Sequence, residues 1–377
     1  MHTMHTAEQN CSKAAQSVAP TQSEPQKVIV ALSGGVDSSV TAALLKDQGY
    51  DVVGIMLTLW NVPGKETENR CCTSDALTIA REVAARLDIP FHTIDAKTIF
   101  FDSVVKSFID GYAKNATPNP CLICNQRVRW DFLLNQTLSM GARYLATGHY
   151  ARLLHKQDGL TLLLRGIDLT KDQSYVLHGL NQHQLAHTLF PLGQLKKTEV
   201  RALARQFNLP AADRSDSQDL CFLGDMDYRD FLSRYYPAMH NPGPIFSTRG
   251  KNLGTHQGLA AYTICQRIGL NISSPVPLYV LDKDSARNAL IVGPLDELGK
   301  KELILPEAHW ISGSTPDFPF SAQVKIRYKA RLEWAQISST AEGSIRIVFD
   351  NLLRDITPGQ AAVIYQDDIC LGGGIIY

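Results

Sequence analysis

From Lys27 onward, short and almost wholly apolar runs alternate with longer amphipathic stretches: KVIVALS, SSVTAALLKDQG, DVVGIMLTL, TSDALTIAREVAARLD, IPFHTIDA and, further on, ARYLATGHY. A short β-branched run without polar alternation is a strand buried on both faces, and a helical stretch between two such runs is the crossover of a parallel sheet. The alternation predicts an α/β fold, a doubly wound parallel sheet with helices on both faces. It stops after about residue 220. A Gly/Pro-rich stretch, NPGPIFSTRGKNLGTHQG, leads to YVLDKD and NALIVG, which read as a hairpin across a polar turn and so as a small central domain. From about residue 303, AQVKIRYKA, EWAQIS, SIRIVFD and TPGQAAVIYQDDICLGGGIIY read as short strands parted by turn residues, the pattern of a β-barrel or sandwich. The expected division is a polar tail over 1–26, the α/β domain over 27–218, a linking domain over 219–302 and a C-terminal β-barrel over 303–377.

The 377 residues suffice for two or three domains, and 44% hydrophobic with 20% charged residues places the chain among folded globular proteins. Lys plus Arg (37) equals Asp plus Glu (37), so no bulk positive field drives it toward nucleic acid, and any such partner has to be held by local patches. No apolar stretch approaches the ~18 residues of a membrane span, and no secretion signal opens the chain. A cytoplasmic location without membrane contact is expected. Eight Cys in a chain of this length are too sparse for a disulfide scaffold and read as core thiols, metal ligands or reactive sulfurs.

Ser33-Gly34-Gly35-Val36-Asp37-Ser38-Ser39 follows a predicted buried strand and opens a helix. Adjacent glycines let backbone N–H groups approach an anion, the helix N-terminus adds partial positive charge, and the hydroxyls of Ser33, Ser38 and Ser39 are further donors. The loop is a phosphate cradle. It lacks the Lys of the Walker pattern and the GxGxxG of dinucleotide folds, and it carries an acid, Asp37.

Cys121 and Cys124 form a CxxC after a Pro-stiffened loop, TPNP, ahead of a helix expected to begin near Asn125, which would place Cys124 at a helix N-terminus, where thiolates are favoured. Cys221 lies in a third polar loop, SDSQDLCFLG. CxxC alone is half a zinc site, but no second pair accompanies it, so redox or sulfur transfer is the better reading. Cys265 and Cys370 read as small core residues, and Cys71, Cys72 and Cys11 receive no role.

SGGVDSS resembles the PP-loop ATP pyrophosphatases. TPNPCLICN, ATGHYAR, LLRGIDLTKDQSYVL, TLFPLG, SDSQDLCFLG, YTICQRIGL, VKIRY and TPGQAAVIY…CLGGGII, in this order from Lys27 to the last residue, make the chain similar to the tRNA-specific 2-thiouridylases. That resemblance implies a PP-loop domain, a small central domain and a C-terminal β-barrel. It implies ATP contacts at Ala31, Leu32, Ser33, Gly34, Gly35, Val36, Asp37, Ser38, Leu57 and Gly148, with Asp37 near the pyrophosphate through Mg²⁺. Asn119, Pro120, Cys121 and His149 would lie near the target base, and Lys171, Asp172, Gln173, Arg327, Tyr328 and Gln360 would meet tRNA. The persulfide would form on Cys221, with Cys124 as the partner nucleophile in a transient disulfide.

The implied activity is ATP-dependent 2-thiolation of the wobble uridine: adenylation turns the C2 oxygen into a leaving group, and a persulfide sulfur replaces it. ATP and Mg²⁺ are the implied cofactors. The implied partners are tRNA and a sulfur-donor relay protein or desulfurase, and a monomer is expected. Many family members carry Asp where this chain has Cys121 and Met where it has Leu57. Cys121 opens an alternative in which Cys121, Cys124 and Cys221 hold a [4Fe-4S] cluster that carries the sulfur. Two other classes are a PP-loop ligase of a small carboxylate, for which no ammonia source is visible, and a non-catalytic nucleotide or iron-sulfur sensor, for which the paired thiols are superfluous. Lys325, Arg327, Lys329 and Arg331 alternate and would line one face of a strand as a phosphate-binding stripe, with Arg127 and Arg129 as further candidates.

Overall fold

The structure, a computed structural model, describes residues 25–64, 73–214 and 220–377. The first 24 residues of the expected tail, Cys11, Cys71, Cys72 and the SDSQD half of the Cys221 loop lie outside the described residues.

The first apolar run forms β1 (Lys27–Ala31) and the helical stretch after it α1 (Val36–Asp47). They are followed by β2 (Asp51–Thr58), α2 (Ser74–Arg86) and β3 (Phe91–Asp95), then by β4 (Tyr144–Ala146), β5 (Ala151–His155), β6 (Thr161–Arg165) and β7 (Thr188–Leu189). Five of these strands make one parallel sheet in the order β3-β2-β1-β4-β7. The lack of polar alternation in KVIVA is explained by its two faces. Val28 and Val30 pack with Ala42, Leu45, Met56, Ala76 and Ala80 on one side, while Ile29 packs with Val53, Ile55, Trp130 and Leu133 on the other. At roughly 1.5 to 3 kcal/mol per fully buried aliphatic side chain, this double burial locks β1 at the centre of the sheet. Between β1 and β4 the direction of strand succession reverses, and in such sheets the crevice at the carboxyl ends of those strands is where ligands bind.

The CxxC segment departs from expectation. The helical stretch runs over 120–139, with a π-helical section Cys124–Leu133, and begins at Pro120 and not near Asn125. Asn119 caps it, its side chain accepting from the Cys121 N–H at 3.1 Å, and Pro at the first position has no N–H to lose. Cys124 therefore stands a full turn inside the helix.

The central domain is a four-stranded sheet of β8 (Gly243–Ser247), β9 (Asn252–His256), β10 (Tyr279–Asp284) and β11 (Ala289–Gly293), ordered β10-β11-β8-β9. The expected hairpin is the antiparallel β10–β11 pair. The last sheet contains β12 (Lys300–Leu305), β13 (His309–Trp310), β14 (Phe320–Lys325), β15 (Glu333–Ser339), β16 (Ile345–Leu353), β17 (Ala361–Gln366) and β18 (Ile369–Ile375). Its strand order is β12-β16-β15-β14-β17-β18-β6-β5, with β13 on β18. The strands β5 and β6, from within the α/β segment, thus extend the C-terminal sheet, with Cys370 opposite Leu163. The two domains share one core in which Tyr175, Leu163, Val363, Tyr365 and Cys370 are fully buried. Among the described residues no helix is long and apolar enough to cross a membrane.

The basic stripe does not form. β14 ends at Lys325, whose ammonium lies over the rings of Tyr175 (6.0 Å) and Tyr328 (5.6 Å), and Arg327, Lys329 and Arg331 are exposed on the loop that follows. Asp172 too is turned inward. Its carboxylate accepts from the N–H groups of Gly166 and Ser174 and from the Ser174 hydroxyl, all at 3.1 Å, so it holds its own loop and leaves Lys171 and Gln173 half-buried beside it.

Cys265, read from the sequence as a core thiol, is half-buried on a turn at φ 71°. That is the left-handed region, which costs an L-residue about 1 to 2 kcal/mol. Replacing Cys265 by Gly is expected to raise stability by about 1 kcal/mol once the larger unfolded-state entropy of glycine is deducted, measured as an upward shift in urea midpoint. A lower midpoint would show that the side chain contributes more than the turn costs.

Candidate active site

The loop between β1 and α1 turns at Gly34, where φ is +70° and a Cβ would stand 2.4 Å from the Ala76 carbonyl oxygen. Both facts restrict the position to glycine. Inside the loop the Ser33 N–H donates to Ser38 Oγ (3.1 Å), and the Ser38 and Ser39 hydroxyls donate to the Gly35 carbonyl (3.1 and 2.9 Å). Ser33 is exposed at the mouth, while Leu32, Val36 and Ser38 are buried beneath it and Ala31 and Gly35 half-buried. The other wall is the loop after β4. Gly148 comes so close that a Cβ there would lie 2.9 Å from backbone atoms of Asp37 and Ser38. Leu57 stands at the carboxyl end of β2, half-buried.

The Asp37 carboxylate is already engaged. Lys197 Nζ donates to both of its oxygens, at 2.7 and 2.8 Å, and the Tyr150 hydroxyl donates to Oδ1 at 2.7 Å. Lys197 opens the helix Lys197–Gln206, which buries Val200 and Ala204 against Val36, Val40 and Ala43 of α1. A second cation arrives from the same region, since Arg214 Nη1 donates to the Gly34 carbonyl at 3.0 Å and Arg201 Nη1 donates to the Ala212 and Arg214 carbonyls. Sequence reasoning missed Lys197, Tyr150 and Arg214. Only the strings near them, ATGHYAR, TLFPLG and SDSQDLCFLG, hinted at their neighbourhood.

His149 is buried beside Gly148, its Nδ1 paired with the Thr147 hydroxyl at 2.7 Å and its ring 5.6 Å from that of Trp130. Burial, then the nearby Arg129 guanidinium, holds its pKa well below the ordinary histidine value. It is a neutral imidazole at pH 7. Trp130 belongs to the same helical stretch as the CxxC, so one rigid element carries both.

The three thiols fall into different surroundings. Cys124 is buried among Phe108, Val128 and Phe222 in a cluster against which half-buried Cys221 and Leu57 also pack. Cys121 is exposed and close enough to Tyr328 to help push that phenol up to about 12, after burial and Asp172. Pro120 is buried and Asn119 half-buried. Gln360 Nε2 donates to the Thr117 carbonyl at 2.7 Å, tying the barrel to the TPNP loop, and the Arg327 guanidinium pairs with Asp355. A groove of about 1010 Å³ opens here, lined by Thr117, Tyr228, Cys265, Arg327, Asp355 and Gln360. The nucleotide loop is not on it. The structure thus assembles two neighbourhoods, the phosphate cradle with its cations and the groove beside the TPNP loop.

Profiles of a tRNA methyl transferase HUP domain, a tRNA methyl transferase PRC-barrel domain and an aminomethyltransferase β-barrel domain match residues 26–225, 229–294 and 300–376. The tRNA-specific 2-thiouridylase MnmA of Magnetococcus marinus is 44% identical over 94% of this chain and 99% of its own length. That of Halothermothrix orenii is 42% identical over 93% of this chain and 98% of its own. A solved 4-thiouridine synthetase–RNA complex with bound ATP is 16% identical, covers 56% of this chain and 50% of that one, and has a TM-score of 0.37, too distant a likeness to bear on the chemistry. The domain descriptions speak of methyl transfer and the relatives of thiolation, and identity along the whole length outweighs a domain label. This chain belongs to the tRNA-specific 2-thiouridylase family.

Proposed function

We propose that this protein is a tRNA-uridine 2-sulfurtransferase, which uses ATP to replace the C2 oxygen of the wobble uridine by sulfur. One observation carries the reading: Leu57, at the strand end beside the phosphate cradle, packs against the same cluster that holds Cys124 and Cys221. An adenylated base in the crevice is then within the neighbourhood of both thiols.

The O2 oxygen of uracil attacks the α-phosphorus of ATP and pyrophosphate leaves into the cradle, where the loop N–H groups, Lys197 and Arg214 face the developing charge. The terminal sulfur of a Cys221 persulfide adds at C2, and AMP departs with the former oxygen. Cys124 thiolate then attacks Cys221 Sγ; the Cys221–sulfur bond breaks, the sulfur stays on C2, and Cys124 and Cys221 are left as a disulfide. Two thiol sulfurs are oxidised as the transferred sulfur is reduced.

In this reading Lys197 is the cation that the loop itself lacks. It neutralises Asp37, and ATP, with its several negative charges, competes for it. Asp37 would be the residue to hold a magnesium ion, which would neutralise charge on the leaving pyrophosphate. An iron-sulfur cluster would take Cys121, Cys124 and Cys221 as its ligands; Cys121 is exposed and Cys124 buried, and among the described residues no three His, Cys, Asp or Glu side chains group to hold a metal ion. A relay protein or desulfurase as sulfur donor, monomeric action in the cytoplasm, and domain limits near residues 218 and 302 belong to the same proposal.

The direct test is nucleoside mass spectrometry of unmodified tRNA after incubation with enzyme, ATP and a persulfide donor; absence of 2-thiouridine overturns the reading. Replacing Lys197 by Met or Asp37 by Ala is expected to slow uracil adenylation, followed as tRNA-dependent pyrophosphate release, on the order of 100-fold, with tRNA affinity little changed. A wild-type rate in Lys197→Met would reduce the ion pair to a structural brace.

Arg327 meets RNA only by leaving Asp355. Arg327→Ala should therefore lower the salt slope of tRNA binding by about one, and Asp355→Asn should tighten binding. Filter binding across a salt series reads both, and equal slopes in all three proteins would place the pair outside the RNA contact.

A further inference from the structure

Tyr150 and Lys197, the two side chains that hold Asp37, are themselves held from one loop, residues 166–173, which joins β6 to the helical turn Ser174–Leu177. The ends of the loop set Tyr150. The Tyr150 N–H donates to Gln173 Oε1 at 3.0 Å, the Gln173 N–H donates back to the Tyr150 carbonyl at 2.9 Å, and a Cβ on Gly166 would stand 2.8 Å from that carbonyl oxygen. The middle of the loop sets Lys197. The Ile167 N–H donates to the Gly193 carbonyl at 3.1 Å, and Asp168 Oδ2 accepts from the Lys197 N–H at 3.0 Å, which places an acid at the N-terminus of the helix that aims the lysine. Asp168 Oδ1 accepts from the Thr170 N–H (3.1 Å) and hydroxyl (2.6 Å), so both carboxylate oxygens are engaged. The Lys197 N–H, then the Thr170 hydroxyl, hold this carboxyl below the usual carboxylate range. The outer side of the loop is open: Ile167, Leu169 and Thr170 are exposed, and Lys171 is half-buried next to them.

We propose that loop 166–173 couples the two substrates, with Asp168 as the positioning residue through which RNA seated beside Lys171 orders Lys197 for the nucleotide; the proposal rests on the tRNA and ATP reading above. RNA on the outer side fixes the loop, and the loop fixes Tyr150 and the first turn that carries Lys197. The nucleotide then meets a clasp around Asp37 that is already ordered, so binding has less order to supply and ATP affinity rises when tRNA is bound. The coupling is reciprocal: ATP raises the affinity for tRNA by the same factor. Asp168 acts only through the Lys197 N–H. An amide at this position offers one oxygen and one donor nitrogen, so it can serve Thr170 or Lys197 but not both.

The experiment is calorimetric titration of α,β-methylene ATP, whose α–β bridge resists cleavage, into the protein alone and into its complex with unmodified tRNA bearing a wobble uridine. Wild type, Asp168→Asn and Arg205→Ala are compared. In the wild type the analogue is expected to bind about tenfold more tightly with tRNA than without it, and in Asp168→Asn that ratio should fall to about one. Arg205→Ala removes an exposed ion pair with Asp213 from the same helix and should keep the wild-type ratio. Each ratio compares one protein with itself, so a change in stability alone does not move it. A wild-type ratio of one or less, an undiminished ratio in Asp168→Asn, or equal loss in Arg205→Ala overturns the proposal. Failure of the underlying reading looks different: the wild type then binds no tRNA, or forms no 2-thiouridine from ATP and a persulfide donor. Binding and thiolation without a coupled affinity overturn the role of the loop alone.

Discussion

A carboxylate placed inside a phosphate-binding loop must be neutralised before an anion can approach, and the ion pair between Asp37 and Lys197 does this across 160 residues of chain. Much of the site follows from it. The lysine reaches the loop only because its helix packs Val200 and Ala204 against α1, and Tyr150 adds its hydroxyl because the chain after β4 passes over the loop at Gly148. With Lys197 and Asp37 side chains 11% and 32% exposed, the pair is partly desolvated and strong enough to order the loop, yet open enough to be exchanged for a nucleotide. The loop is thus preorganised by tertiary contacts, and binding need not supply that order.

The first and last domains are joined more firmly than a linker would join them. Ser174 Oγ and the Tyr365 hydroxyl pair at 3.1 Å in a buried setting, the Tyr175 hydroxyl donates to the Ala361 carbonyl at 3.0 Å, and the Thr117 N–H donates to the Pro358 carbonyl at 2.8 Å. Buried polar pairs of this kind tolerate little sliding, since an orphaned partner costs about 1 to 3 kcal/mol. The groove beside Thr117, Arg327 and Gln360 therefore keeps its position relative to the CxxC helix.

The helix from Pro120 divides the thiols. Its inward side sets Cys124 into the cluster with Cys221 nearby, its outward side leaves Cys121 to solvent, and its continuation places Trp130 against His149. One element therefore positions a buried thiol, an exposed thiol and the neutral imidazole next to the nucleotide crevice.

Much of this was legible in the sequence, for local reasons. A strand buried on both faces must be apolar at successive positions, so KVIVA and DVVGIMLT declared themselves, and two glycines between such a strand and a helix announced the anion loop. The hairpin of β10 and β11 and the strands of the last sheet were visible in the same way. What stayed hidden depends on partners far away in the chain. Nothing near Lys197 says that its charge meets Asp37, nothing in TLLLR says that β6 will pair with β18 of another domain, and nothing in VKIRYKA says that the strand ends at Lys325 and turns that ammonium toward two tyrosines. The helix start at Pro120 was missed because Asn119 caps it through a side-chain bond that periodicity does not register. Periodicity records which face of an element is buried, a property of near neighbours; which charge, thiol or strand edge it is buried against is settled only when the elements pack, and that packing chose the lysine for the nucleotide loop and separated Cys121 from Cys124.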